Sequence, residues 1–337
     1  MAPEPLPPPL KTMGKPTVFV TRQIHPPALE RLAETCEVEV WPEPGPPSHA
    51  ILLEKASGMQ GILSLLTDPL DDEVLSIPSL RVISQMAVGT DNIDLVAATR
   101  RNLPVGHTPG VLTETCADFT MALLLSLTRR VVEAHNEVVA GTWRPWGPDI
   151  LTGGELSGAT LGLVGFGRIG QAVARRAAGF DMNILYTDPK PHPEVEERTA
   201  SKRVPLEELL TASDYVSLHV YYSPQNHHLI DFARFEMMKP SAILINTARG
   251  AIVNPAALVW ALQNKVIAGA ALDVFEPEPI PAGHPLLLLP NVIITPHIAS
   301  AGAQTRIRMA HIAVDNLLAG LAGERLPFCA NPEVYLR

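Results

Sequence analysis

Cysteine is scarce in this sequence: three residues in 337, at Cys36, Cys116 and Cys329. An odd and scattered set excludes a disulfide framework and a cysteine-based zinc site, and none of the three stands in an activating context. They are read as buried thiols in a reduced, cytoplasmic setting, and no metal site is expected. Long apolar runs are also missing. Stretches such as Met121 to Leu127 and Leu286 to Leu289 fall far short of the about 18 residues a membrane span needs. Basic charge is in deficit, with 26 Lys and Arg against 35 Asp and Glu and a formal net charge of −9. That balance argues against a nucleic acid or an anionic membrane surface as partner. The first 15 residues, MAPEPLPPPLKTMGK, lack an apolar core segment and are read as a proline-rich flexible tail, set apart from the fold.

What is present is an ordinary globular composition, 46% hydrophobic and 18% charged, in a chain long enough for two cores. From Thr17 short β-branched runs alternate with helical stretches as far as Pro109, which predicts βαβ units around a parallel sheet. A long helical stretch follows, from Thr113 to Trp143. Its first half is too apolar for a lone surface helix, so it is expected to pack between domains or subunits. A second alternating series starts at TLGLVG (Thr160 onward) and runs to NVIITPH, a full doubly wound domain. The last helical stretch, Ala303 to Glu324, has no strand after it and is expected to cross back to the first domain. The reading is therefore α/β with two doubly wound parallel-sheet domains: a Rossmann domain over 110–301, inserted in a discontinuous flavodoxin-like domain of 16–109 and 302–337.

Gly165-Phe166-Gly167-Arg168-Ile169-Gly170 is a G-x-G-x-x-G run directly after one strand and directly before a helix. The first glycine suits a tight turn, the second lets backbone N–H groups approach a pyrophosphate, and the third allows close helix-to-strand packing. The next strand, NILYTD, ends at Asp188, 188 − 170 = 18 residues on. This is near the spacing of the acid that bonds the adenosine ribose hydroxyls. A carboxylate there repels a 2′-phosphate, so NAD is favoured over NADP, a preference softened by Lys190 and His192. The plain alternative for Asp188 is a turn residue before Pro189.

Three further segments, INTARG, ALDVFEPEP and ITPHIAS, each follow a strand of the second domain. They put Arg249, Glu278 and His297 near carboxyl ends of strands, where doubly wound folds hold ligands. Reduction of a 2-oxo acid needs such a set: a guanidinium to hold the carboxylate and polarise the keto oxygen, and an acid to protonate it. Glu278 beside His297 is expected to favour the imidazolium. Singly, such an arginine is often a surface ion pair and such a histidine a turn residue; their company beside a dinucleotide fingerprint is what favours the chemical reading.

At these residues, and from about Val18 to about Gly323, the chain resembles the D-isomer-specific 2-hydroxyacid dehydrogenase family, most of all its glyoxylate/hydroxypyruvate reductases. The resemblance implies that Arg249 binds substrate, that Glu278 tunes the histidine, and that His297 is the acid in reduction and the base in oxidation. It places Asp273 at the nicotinamide carboxamide, and Thr113, Thr247 and Ala248 among the cofactor contacts. His219, which closes the strand YVSLH, is expected to line the cleft as a further cofactor contact without a catalytic role. Ala87, Val88 and Gly89 match the loop whose N–H groups take the substrate carboxylate. The resemblance also implies a cleft that closes on ligand and a homodimer held by the cofactor domain, with Trp143 and Trp146 near the active site or packing the subunit interface. YYSPQNHH replaces the family's usual proline-leucine-threonine run after His219. Val88 stands where phosphite dehydrogenases carry lysine, and Glu278 where formate dehydrogenases carry glutamine, so both of those activities are set aside. The expected reaction is reduction of glyoxylate or hydroxypyruvate to glycolate or D-glycerate. The alternatives are a dehydrogenase for another D-2-hydroxy acid, or an NAD-sensing binding protein of the same fold, like the family's co-repressors.

Overall fold

The computed structural model describes residues 14–336, so the tail expected over 1–15 lies, up to residue 13, outside the described residues. The chain divides into two compact units, residues 14–112 with 303–336, and Thr113–Gly302.

The first unit is built from β1 (Thr17–Val20), α1 (Pro26–Thr35), β2 (Glu37–Val40), α2 (His49–Ala56), β3 (Gly61–Ser64), α3 (Asp72–Leu75), β4 (Val82–Gln85), α4 (Leu95–Arg100) and β5 (Val105–Gly106). All its strands are parallel, in the order β2-β1-β3-β4-β5. This is the doubly wound order of flavodoxin-like folds. Val18, Phe19, Ile62, Leu63, Val82 and Ile83 are all fully buried, as continuous apolar strands covered on both faces must be. The unit's last helix comes from the far end of the chain, at Ala303–Ala322, after every strand of both units. It covers β3 and β4: Ser84 donates to Ala313 O at 2.7 Å, and a Cβ on Gly320 would lie 2.4 Å from Val82 Cγ2. Asn316 donates to His107 O and accepts from the N–H of Phe328, both at 2.9 Å. Beyond this helix a single antiparallel bridge joins Cys329 to Gly106, the one strand-like contact the sequence reading did not anticipate there.

The second unit holds α5 (Thr113–Thr128), α6 (Val131–Val139), β6 (Thr160–Val164), α7 (Arg168–Ala178), β7 (Asn183–Thr187), α8 (Pro193–Thr199), β8 (Lys202–Arg203), α9 (Leu206–Ala212), β9 (Tyr215–Leu218), α10 (Phe232–Met237), β10 (Ile243–Asn246), α11 (Pro255–Gln263), β11 (Gly269–Leu272) and β12 (Val292–Ile294). The sheet is parallel throughout and runs β12-β11-β10-β9-β6-β7-β8. Strand order reverses between β6 and β9, which in an open α/β sheet opens a crevice at the carboxyl ends of these strands.

The single helix expected from Thr113 to Trp143 is two helices. The carbonyl of Thr128, which a continuing helix would give to Val132, instead accepts the N–H of Gly154 at 3.0 Å. Gly153 lies against the same carbonyl, so close that a Cβ there would be 2.1 Å away. Arg130 turns at φ +53, and its guanidinium pairs with both oxygens of Glu133 at 2.7 and 2.8 Å in the first turn of α6. The buried face of α5, including Ala117, Met121 and Leu124, packs with α7, β10 and β11 of its own unit. By contrast α6 buries none of its residues.

Candidate active site

The glycine turn after β6 has a steric reason at two of its glycines and an open approach at the third. Gly165 has φ +93, and a Cβ there would lie 2.7 Å from the carbonyl carbon of His219. A Cβ on Gly170 would lie 2.4 Å from Gly165 O, so α7 sits directly on the turn. Gly167, the N-cap of α7, has open space where its Cβ would be, with no atom within 4 Å. An uncovered helix N-terminus reached only past glycine is a cradle for a pyrophosphate. Arg168 is exposed and Ile169 half-buried beside it, while Phe166 is buried and stacks on Tyr186 with ring centroids 3.9 Å apart.

Asp188, directly after β7, folds back on this turn. One carboxylate oxygen accepts the N–H of Phe166 at 2.9 Å, the other that of Lys190 at 3.0 Å, and His192 Nε2 stands 3.5 Å off. Burial alone would raise this carboxyl, but these donors together hold it below its ordinary value. Arg203, from the edge strand β8, donates to the carbonyls of Asp188 and Pro189 at 2.8 and 3.0 Å. Sequence reading missed Arg203, because two exposed residues carry no strand pattern. On the other side of the reversal, His219 follows β9. Its Nε2 lies 2.9 Å from Ser217 Oγ, and burial pushes the imidazole down to about 4, leaving it neutral.

The structure brings Glu278 and His297 together: Glu278 Oε1 lies 2.5 Å from His297 Nδ1. His297 stands at φ +55 in the turn after β12, and Asp273, wholly buried after β11, holds that turn. The main-chain oxygen of Asp273 accepts the N–H of His297 at 2.9 Å. Its carboxylate accepts Thr295 Oγ1 at 2.6 Å, Ile298 N–H at 2.9 Å and Ala299 N–H at 2.7 Å. Sequence reading gave Asp273 a place beside the cofactor and missed this scaffold.

Arg249 follows β10. The buried Asn246 donates to its carbonyl at 2.9 Å and accepts the N–H of Ala248 at 3.0 Å, and the guanidinium donates to Ala248 O at 2.7 Å. Thr247 Oγ1 lies 3.0 Å from Thr120 Oγ1 on α5, which begins at Thr113. In the first unit, Ala87, Val88 and Gly89 follow β4, and all three carbonyls are held. Thr108 N–H donates to Ala87 O at 2.8 Å, His107 Nδ1 lies 3.1 Å from Val88 O, and Gln85 Nε2 donates to Gly89 O at 2.6 Å. In a trans peptide the N–H points opposite its C=O, so the N–H groups of Val88, Gly89 and Thr90 are turned away from these donors.

One group of side chains has metal-binding composition: ligating atoms of His227, His228 and Glu276 lie within 4.8 Å of one another. No helix among the described residues is long and apolar enough to cross a membrane.

Residues 121–299 match the family model described as D-isomer specific 2-hydroxyacid dehydrogenase, NAD binding domain. The chain is similar to the glyoxylate reductase of Korarchaeum cryptofilum, 49% identical over 322 residues, 95% of this chain and 97% of that one. Among solved structures, a protein of Thermus thermophilus superposes with a TM-score of 0.88 at 48% identity, covering 93% of this chain and 99% of that one. The NADPH-dependent glyoxylate/hydroxypyruvate reductase of Sinorhizobium meliloti, solved with NADP and malonate, superposes with a TM-score of 0.84 at 34% identity, covering 94% and 97%.

Proposed function

The chain belongs to the D-isomer specific 2-hydroxyacid dehydrogenase family, and on that footing we propose that it is an NAD(P)H-dependent reductase of a small 2-oxo acid, glyoxylate or hydroxypyruvate, giving glycolate or D-glycerate. The observation that carries this reading is the Glu278–His297 pair, held by Asp273 on the same sheet that bears the glycine turn.

Bound nicotinamide supplies the hydride. With Nδ1 committed to Glu278, His297 delivers its proton from Nε2 to the keto oxygen, and Arg249 holds the substrate carboxylate and offsets charge growing on that oxygen. Within the first unit the Ala87-Val88-Gly89 loop suits an anionic substrate group, since its carbonyls are tied down and its N–H groups turn the other way. Gly165 to Gly170 cradle the pyrophosphate, and Asp188 takes the adenosine ribose. Thr113, His219, Thr247, Ala248 and Asp273 complete the cofactor contacts, with Asp273 acting first on the His297 turn. Asp188, its carboxylate fixed by the N–H groups of Phe166 and Lys190, supports NADH over NADPH, since a fixed anion there repels a 2′-phosphate.

The working form we propose is a homodimer. It is supported by α6, whose Val131, Val132, Val138 and Val139 are all exposed, followed by Trp143 and Trp146 at 75% and 88% exposure. Three cysteines with no disulfide among them suit a reducing cytoplasm.

The deciding experiment is the initial rate of NADH and NADPH oxidation with glyoxylate, hydroxypyruvate, pyruvate and 2-oxoisocaproate, on the wild type and on Arg249→Ala, Glu278→Gln and His297→Gln. Turnover of glyoxylate or hydroxypyruvate is expected, with His297→Gln losing about 10²-fold or more in kcat and Arg249→Ala losing both kcat and substrate affinity. Unchanged kinetics in all three variants would sink the assignment. Tight NADH binding with no turnover of any acid would favour the binding protein instead.

A further inference from the structure

The loops carrying Arg249 and Glu278 leave adjacent strands, β10 and β11, and meet backbone to backbone: a Cβ on Gly250 would lie 1.9 Å from the carbonyl carbon of Phe275. A third segment, the unusual YYSPQNHH stretch after β9, touches both. Within it His228 stands at φ +52, a backbone state that a residue with a Cβ keeps only where its surroundings over-determine it. Those surroundings are visible. The N–H of His228 donates to Ala251 O at 2.8 Å, two residues beyond Arg249, and the pairing continues from Ile230 to Ile252 and Val253. His227 stacks on the ring with centroids 3.8 Å apart. The ring itself reaches Asn254 Nδ2 with Nδ1, at 3.3 Å, and Glu276 Oε2 with Nε2, at 2.8 Å.

The protonation of this ring follows from the helix beside it. Asn254 is the N-cap of α11, and its Oδ1 accepts the N–H of Ala257 at 3.0 Å. A backbone N–H can only donate, so the amide cannot be turned round, and Nδ2 faces the ring as a donor. His228 Nδ1 is therefore the acceptor, and the ring proton sits on Nε2, aimed at Glu276.

We infer that His228 and Glu276 are positioning residues for the reaction, holding the segment from which Glu278 reaches His297. Glu276 is two residues before Glu278, so tying its carboxylate to a histidine whose backbone N–H is bonded to the Arg249 loop and whose ring is bonded to the cap of α11 sets both chemical loops against one support. The inference rests on the proposed function, in which Glu278 holds Nδ1 of His297 and so orients its Nε2.

Four variants test it: Glu276→Ala, Glu276→Gln, His228→Phe and, as the reference, Glu278→Gln, each followed for kcat and KM across pH and for thermal midpoint. Glu276→Gln still offers an oxygen to Nε2–H and is expected to keep kcat within about 3-fold of wild type. Glu276→Ala is expected to lose about 10-fold in kcat and to leave the KM for NADH unchanged. Its loss should fall on kcat alone, the pattern expected of Glu278→Gln. His228→Phe keeps the bulk of the ring, removes its donor and should follow Glu276→Ala, which guards against that variant failing to fold. A wild-type kcat in both Glu276→Ala and His228→Phe, whatever their melting temperatures, would overturn the inference, as would a Glu276→Gln variant as damaged as Glu276→Ala. If Glu278→Gln also leaves kcat unmoved, the role given to Glu278 in the proposed function falls and the positioning role falls with it.

Discussion

His297 hangs from Asp273: its N–H donates to the Asp273 carbonyl at 2.9 Å, while the carboxylate of the same aspartate takes the N–H groups of Ile298 and Ala299 just beyond it. Asp273→Asn would turn an NH₂ group toward at least one of these buried donors. The variant should lose about 2–3 kcal/mol of stability in urea unfolding and at least about 10-fold in kcat, because the imidazole loses its fixed approach. Full activity with intact stability would show that the turn holds itself.

At the cofactor end, Asp188 is the residue to change. Replacing it with serine removes the anion opposed to a 2′-phosphate and leaves Lys190, His192 and Arg203 nearby. The ratio of kcat/KM for NADPH over NADH should rise by about 10-fold or more. A ratio that stays level would mean that another group sets the preference.

The neutral His219 makes a prediction about acid. Its pKa is near 4 in the fold against 6.5 as the ordinary value. Between these values the unfolded chain binds a proton that the folded chain does not, so stability rises with pH across that window and falls as pH drops. The contribution is on the order of 3 kcal/mol over the whole window. Urea midpoints of cofactor-free protein at several pH values should show this slope, and His219→Gln should flatten it; equal slopes in the two proteins would contradict the assignment.

For α6, charge placed on the exposed valines is the test of the proposed dimer. Val138→Glu with Val139→Glu should sediment as a monomer where the wild type sediments as a dimer, with the monomeric fold unchanged because neither side chain is buried. A wild-type monomer would remove the dimer from the proposal.

Much of the fold and part of the site were legible in the sequence, for physical reasons. The glycine turn could be read because two of its glycines answer a local steric demand, seen at Gly165 and Gly170 as contacts a Cβ would violate. The two doubly wound sheets could be read because buried parallel strands are near-continuous apolar runs. The break at Arg130 could not, since the N–H that takes the Thr128 carbonyl belongs to Gly154, far along the chain, with Gly153 packed against the same oxygen. Nor could β8, whose two residues are both exposed. The work of Asp273 and His228 was hidden for the same reason as the helix break: spacing marks a polar residue after a strand but says nothing about which distant donors its oxygen or nitrogen will meet.

The helix that lies on β3 and β4, through Ser84 and Gly320, is made of residues 303–322, nearly two hundred positions after the last strand of the sheet it covers. During synthesis that sheet must wait. The ribosome delivers all of Thr113–Gly302 first, so the middle of the chain can fold to completion while the early strands still lack their cover. A nascent chain stopped short of residue 303 would expose, on one face of β3 and β4, the apolar surface around Val82 that this helix otherwise covers, the kind of surface chaperones are there to shield.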